Sequence, residues 1–245
     1  MEWLTGAHSV REALRAHRRE LRRLRVEDVD DADRGIRGEI VALARAAGVP
    51  VEQASIGQRR GEASPGQGVA LEVGPLPEDS LAGLLASRAE TPRWIVALDG
   101  VEDPQNLGAI ARVADAAGAA GLLLTQRRAP PLSPAVSRAS AGAIEHLPVA
   151  RVPNLSRALE DLKARGFWIV GADAGGGEDL FGLADRLLEG DLAIVLGAEG
   201  RGIRPGIASC LDHRVRIPMR GAVASLNVSA AAAVVLFELV RRRRS

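Results

Sequence analysis

Short apolar runs alternate with amphipathic stretches along most of this chain, and the spacing separates a smaller leading region from a larger one behind it. From Gly6 to about Val73 the pattern predicts a small α/β unit, with a helix over about 9–17, a strand over 21–26 and a helix over 36–47 that Gly48 closes. Val49-Pro50-Val51 begins another extended piece, and 68–73 reads as a further strand. Gly74-Pro75-Leu76-Pro77 and Thr91-Pro92 mark a change of composition, so the expected organisation is a first domain over 1–74, a linker over 75–93 and a second domain over 94–245.

In the second domain the alternation is cleaner. Strands are expected over 94–98, 121–125, 167–171 and 192–197, with a shorter one over 215–217; helices are expected over 106–117, 155–165 and 225 to about 242. Continuous apolar strands separated by helices predict a parallel sheet covered on both faces. The closing helix carries two apolar stripes, Leu226, Ala230, Ala233, Phe237 and Val240 on one, Val228, Ala232, Val235 and Leu239 on the other. Such a helix is buried on several sides, in the core or at a subunit interface.

Composition narrows the class. With 245 residues, 47% of them hydrophobic, and a net charge of +1, the chain can bury one large core or two smaller ones. A single cysteine, Cys210, excludes an intrachain disulfide. No apolar run reaches the roughly 18 residues of a membrane span, and Glu238 interrupts the longest candidate. Met1-Glu2-Trp3-Leu4 does not read as a signal peptide, so a cytoplasmic protein with no membrane partner is expected. The arginines are unevenly spread: Arg11, Arg15, Arg18, Arg19, Arg22, Arg23 and Arg25 crowd one segment, and Arg241 to Arg244 form a tail. Either cluster can meet nucleic acid or be a solvated face, and the tail also complements a helix C-terminus.

Three stretches carry the candidate chemistry. In Asp103-Pro104-Gln105-Asn106-Leu107-Gly108-Ala109-Ile110-Ala111-Arg112, Asn106 is placed to cap a helix, and Arg112 follows on a face that Gly108 would leave open to a phosphate or sugar. Asp115 or Glu199 would be its carboxylate partner. In Leu196-Gly197-Ala198-Glu199-Gly200, Glu199 follows an apolar strand and would face the crevice at the carboxyl end of the sheet. Ile217-Pro218-Met219 runs through a glycine-containing loop into Ser225-Leu226-Asn227, where Ser225 is a natural helix cap. His8, His17, His146 and His213 show no metal-ligand spacing, so no metal is expected.

At these three stretches the chain resembles the SpoU family of RNA ribose 2′-O-methyltransferases, the branch of TrmH and RlmB. The likeness runs from Trp94 to the C-terminus; Ser140-Ala141-Gly142-Ala143-Ile144-Glu145 and Gly6-Ala7-His8-Ser9-Val10 extend it. Gly66-Gln67-Gly68 departs from it, because many relatives carry a histidine before the Gln-Gly pair. The resemblance implies an α/β fold whose C-terminal parallel-sheet methyltransferase domain contains a trefoil knot (SPOUT), preceded by a small ribosomal-protein-like α/β domain that binds RNA. It implies S-adenosylmethionine as cofactor, held at Gly197, Ile217, Met219 and Leu226, and a catalytic set of Asn106, Arg112, Glu199, Ser225 and Asn227. It also implies a homodimer, with ribosomal RNA as the favoured substrate, transfer RNA as the alternative and no DNA.

A ribose hydroxyl needs its proton removed or its developing charge stabilised. The family offers Arg112 as base, but a guanidinium is effectively always charged, so phosphate grip and charge stabilisation fit its chemistry better. Asn106, Ser225 and Asn227 would orient sugar and loops, and Glu199 would position Arg112 or a target-side group. An inactive RNA-binding assembly protein and an antibiotic-resistance enzyme are the remaining readings, and a guanosine of the large-subunit RNA is the expected target.

Overall fold

The computed structural model describes residues 2–27, 35–54, 68–87 and 92–243. In chain order the elements are β1 (Glu2–Thr5), α1 (Ala7–Ala16), β2 (Leu21–Val26), α2 (Gly35–Ala46), β3 (Val51–Gln53), β4 (Val69–Val73), α3 (Leu81–Ser87), β5 (Trp94–Asp99), α4 (Pro104–Ala116), β6 (Gly121–Thr125) and α5 (Pro134–Ala139). They continue with β7 (Val149–Val152), α6 (Leu155–Lys163), β8 (Trp168–Ala172), β9 (Glu178–Asp179), β10 (Leu192–Gly197), α7 (Pro205–Ala208), β11 (His213–Arg216) and α8 (Val228–Arg243). Two compact units result, one of Met1–Pro77 with Pro131–His146, the other of Glu78–Pro130 with Leu147–Ser245. No helix among the described residues is long and apolar enough to cross a membrane.

The smaller unit is a four-stranded sheet in the order β1-β4-β2-β3. β1 and β2 run antiparallel to β4, and β3 runs parallel to β2. Leu4, Val10, Leu14, Leu24, Val26, Ile40 and Leu71 form its core, the strands contributing alternate residues as the pleat requires. Two parts of it are not anticipated by the periodicity: β1, and the segment 131–146. Arg19 is buried here against Glu145, its Nε donating to Oε2 at 2.9 Å, while Ser137 Oγ donates to Glu145 Oε1 at 2.6 Å. The leading arginine cluster is mostly neutralised inside this unit. Arg11 and Arg15 pair with Glu12 and Glu39, Arg22 with Glu20, Arg23 with Glu72, and Arg25 faces Glu52 while its guanidinium lies 4.5 Å from the Trp3 ring centroid. Gly66 and Gln67 lie outside the described residues.

The larger unit carries a seven-stranded sheet in the order β7-β6-β5-β10-β8-β11-β9, parallel throughout. Ile95, Ala97, Ala193 and Val195 face a core shared with α3, α6 and α7. The alternate residues Val96, Leu98, Ile194 and Leu196 are also buried, so both faces are covered, and α4 packs against α8. This is the parallel α/β sheet the apolar runs predict. At the opposite edge from the site, Asp191 accepts from the Arg93 backbone amide at 2.6 Å and from Nε at 3.0 Å, which fixes the starts of β10 and β5 together.

The closing helix differs from expectation. It begins at Val228, and only one of its two stripes is buried: Val228, Ala232, Val235 and Leu239 are inside, whereas Leu226 before it, Ala230 and Phe237 are exposed. The tail arginines do structural work. Arg241 and Arg242 hydrogen-bond Glu238, Arg242 also donates to the Leu183 and Phe181 carbonyls, and Arg243 lies 4.2 Å above the Trp94 ring centroid.

Candidate functional site

Two helix N-termini and one glycine loop assemble the site. α4 starts two residues earlier than the pattern predicts because Asp103, not Asn106, is its cap: Asp103 Oδ1 accepts from the Gln105 amide at 3.0 Å, and Pro104 fills a first-turn position that needs no amide. Asn106, inside the first turn, is thereby released for another contact. Its Oδ1 accepts from Asn227 Nδ2 at 3.0 Å. Asn227, rather than Ser225, caps α8, its Oδ1 accepting from the Ser229 amide at 2.8 Å and from Ser229 Oγ at 2.6 Å. One asparagine thus closes α8 and staples it to α4.

Ser225, set free of capping, lines a cavity of about 280 Å³ at the carboxyl ends of β8, β10 and β11. Gly197, Glu199, Ile217, Met219 and Leu226 line it too, so four cofactor positions and two catalytic candidates from the sequence meet in one place. Gly197 is required sterically: an added Cβ would sit closer than 3.0 Å to the carbonyl group of Gly202 and 2.5 Å from the Ile203 nitrogen. The loop beyond it turns through positive φ at Gly200 and Gly202 and closes with the Gly202 amide donating to the Ala198 carbonyl at 2.9 Å.

Sequence reasoning did not find the anchor of that loop. Asp99, wholly buried at the end of β5, accepts from the Arg204 amide at 2.9 Å and Nε at 2.7 Å. A buried carboxylate needs such a partner, and here the pairing locks the far end of the cavity loop to the neighbouring strand. The other wall, Ala172 to Gly175 with Asp173, also went unanticipated. The signal available for both was an acidic residue at or just beyond a strand's carboxyl end.

Arg112 is placed differently. It is exposed on α4, does not line the cavity, and its guanidinium has no ion pair or hydrogen bond among the described residues, to Glu199 or to Asp115. Gly108, expected to leave an open surface beside it, is buried. Asn106 and Asn227 likewise stand outside the cavity lining, joined to each other.

The cavity suits a ligand that combines a flat heterocycle with a positive group. Leu196, Val215, Ile217, Met219 and Leu226 supply apolar contact, the Gly197–Gly202 loop supplies close backbone approach, and Asp173 and Glu199 supply negative charge. S-adenosylmethionine has those features. Residues 93–237 match the model of the SpoU rRNA methylase family, and residues 3–78 match that of the RNA 2′-O ribose methyltransferase substrate-binding domain. The chain belongs to the SpoU rRNA methylase family. It is similar to the TrmH-family tRNA/rRNA methyltransferase YacO of Bacillus subtilis, 37% identical over 99% of this chain and 96% of the relative. The 23S rRNA (guanosine-2′-O-)-methyltransferase RlmB of Pseudomonas putida is also 37% identical, over 100% of this chain and 98% of the relative. Among solved structures, the SpoU methyltransferase AviRb of Streptomyces viridochromogenes in complex with AdoMet superposes with a TM-score of 0.78 at 27% identity, covering 99% of this chain and 90% of that one. As a SpoU methylase the protein is an S-adenosylmethionine-dependent RNA ribose 2′-O-methyltransferase, with the α/β methyltransferase fold and the N-terminal substrate-binding domain that the resemblance implies.

Proposed function

We propose that this SpoU methylase modifies a guanosine 2′-oxygen of 23S ribosomal RNA, in the cytoplasm and as a homodimer. The observation that carries the target is the full-length likeness to a 23S rRNA (guanosine-2′-O-)-methyltransferase, which includes the small unit as well as the catalytic one. The dimer reading rests on the stripe Leu226, Ala230, Ala233, Phe237 and Val240, which is apolar yet only partly buried in the single chain, and on an Arg112 that its own cavity does not use. A second copy presenting a guanidinium to the cavity would complete the site.

Bound in the cavity, S-adenosylmethionine supplies a methyl group activated on a positively charged sulfur. Gly197, Ile217, Met219 and Leu226 hold it, the glycine loop through backbone groups that the Asp99–Arg204 pair keeps in position. Arg112 grips a phosphate beside the target and stabilises the negative charge that builds on the ribose oxygen as its proton departs to the RNA phosphate or to water. Asn106 and Asn227 keep the two helix starts in register, Ser225 orients the sugar, and Glu199 positions the cationic group.

Mapping 2′-O-methyl sites in ribosomal and transfer RNA from cells with and without the gene tests the target. Loss of one guanosine mark in 23S RNA is expected, and loss of a transfer-RNA mark instead overturns the assignment. Arg112→Lys separates the roles of the arginine: loss of methylation at every pH is expected, whereas activity that recovers as pH rises would identify a base.

A further inference from the structure

A second cleft, of about 430 Å³, is lined by Thr125, Arg127, Arg128, Asn154, Ser156 and Arg204 among others, all within the larger unit. It opens where β6 and β7 end, on the same carboxyl edge of the parallel sheet as the cofactor cavity. Three of its lining residues are arginines and none is acidic. Arg204 is already committed to Asp99, but Arg127 and Arg128 are exposed and their guanidiniums have no hydrogen bond or ion pair among the described residues. The Asn154 oxygen caps α6, accepting from the Arg157 amide at 3.1 Å, which leaves its amide donors for a ligand.

The loop that presents the two free guanidiniums is held rigidly. Arg151 reaches across from β7, donating through Nη1 to the Thr125 carbonyl at 3.2 Å and through Nη2 to the Pro130 carbonyl at 2.8 Å, while its Nε donates to Glu78 at 2.8 Å. Thr125 Oγ1 adds a bond to the Arg127 carbonyl. Arg128 is thereby held at φ 62°, an unfavourable conformation for a long side chain that persists only where the surroundings impose it. Two arginines presented from a braced loop beside a cleft that no carboxylate lines suit the binding of an anion.

We infer that this cleft binds phosphates of the RNA backbone beside the methylated nucleotide. The inference rests on the assignment of RNA as substrate and adds a subsite to it: Arg127 and Arg128 hold the strand, and Arg204 joins the cleft to the cofactor loop because its backbone amide is fixed by Asp99. A free inorganic anion offers the same phosphate chemistry, and the experiment separates the two sources.

The test compares wild type with Arg127→Gln/Arg128→Asn, asparagine being tolerant of positive φ. Binding of a short fluorescein-labelled RNA of mixed sequence is followed by anisotropy across a salt series, alongside calorimetry with S-adenosylhomocysteine and melting with and without inorganic phosphate. Expected are RNA affinity weakened about tenfold and a log K against log salt slope shallower by about 1.4, from two single-strand phosphate contacts at about 0.7 each, with S-adenosylhomocysteine affinity unchanged. Unchanged RNA affinity and slope overturn the inference, and so does a loss confined to stabilisation by inorganic phosphate, which would mark a small-anion site. If the double variant also loses S-adenosylhomocysteine, the exposed single substitution Arg127→Gln carries the test, with half the slope change expected and none overturning it. Failure of the wild-type protein to bind RNA at all would instead sink the functional reading beneath it.

Discussion

Replacing Gly197 by alanine should disable the cofactor site through one methyl group. The added Cβ would stand 2.5 Å from the Ile203 nitrogen and closer still to the Gly202 carbonyl group, where ordinary contact begins at 3.4 Å, so the 202–203 backbone must retreat by at least about 0.9 Å. It has little freedom to do so. The next residue, Arg204, is held through its amide and guanidinium by the buried Asp99, and the Gly202 amide is tied to Ala198. Forced overpacking of this kind costs about 1–3 kcal/mol. Because the displaced segment is a cavity wall, most of that should appear in binding, as a loss of S-adenosylhomocysteine affinity of up to about 100-fold. Calorimetry measures it, with melting as a check on folding. Asp99→Asn provides the internal control: it loosens the anchor, so the double variant should bind better than the product of the single losses requires. Affinity within about threefold of wild type for Gly197→Ala, or strict additivity in the cycle, would refute the picture of a loop clamped at both ends.

Two further outcomes test the framework. Glu145→Gln strands the buried Arg19 without its counter-charge and should destabilise the smaller unit by about 3–5 kcal/mol in urea unfolding, with Arg19→Met/Glu145→Leu recovering much of the loss. Glu238 is held at a pKa of about 2, below its usual 4.5, by the hydrogen bond from Arg241 and then that from Arg242, against the opposing effect of burial. Its contribution is therefore present above about pH 4.5 and fades as pH falls toward 2. The wild-type melting temperature should drop across that window more steeply than that of Glu238→Gln, and parallel curves would contradict the assignment.

What was legible in the sequence depended on local physics. Strands β6 and β10 coincide with their apolar runs because a buried parallel strand is written as a continuous block of such residues. The expected cofactor positions Gly197, Ile217, Met219 and Leu226 came from the family resemblance rather than from any period, since a glycine at a strand's end is as readily a tight turn; the fold brings all four to one cavity. Helix starts were misread by two or three residues, since Asp103, Asn106, Ser225 and Asn227 are all competent caps and the choice among them is tertiary: only packing of α4 on α8 lets Asn227 cap one helix while bonding Asn106 of the other. Insertion of β10 between β5 and β8, which precede it in the chain, is a non-local decision that no period encodes. Nor does any period assign 131–146 to the smaller unit; that follows from the buried Arg19–Glu145 pair, two residues 126 positions apart.

A net charge of +1 conceals how differently the arginines are used. Along α1 and β2, where they are densest in sequence, they are spent on Glu12, Glu20, Glu39, Glu52, Glu72 and Glu145, so density alone overstates their availability to RNA. Arg112, Arg127, Arg128, Arg201, Arg216 and Arg220 in the larger unit have no such partners among the described residues, and neither do Arg45 and Arg138 in the smaller one. An ion pair must be broken before its arginine can take a phosphate, whereas an unpaired guanidinium only releases water and counterions. Electrostatic capture of RNA should therefore be governed by these scattered, unpaired residues more than by the conspicuous cluster along α1 and β2, and the salt dependence of binding should respond accordingly.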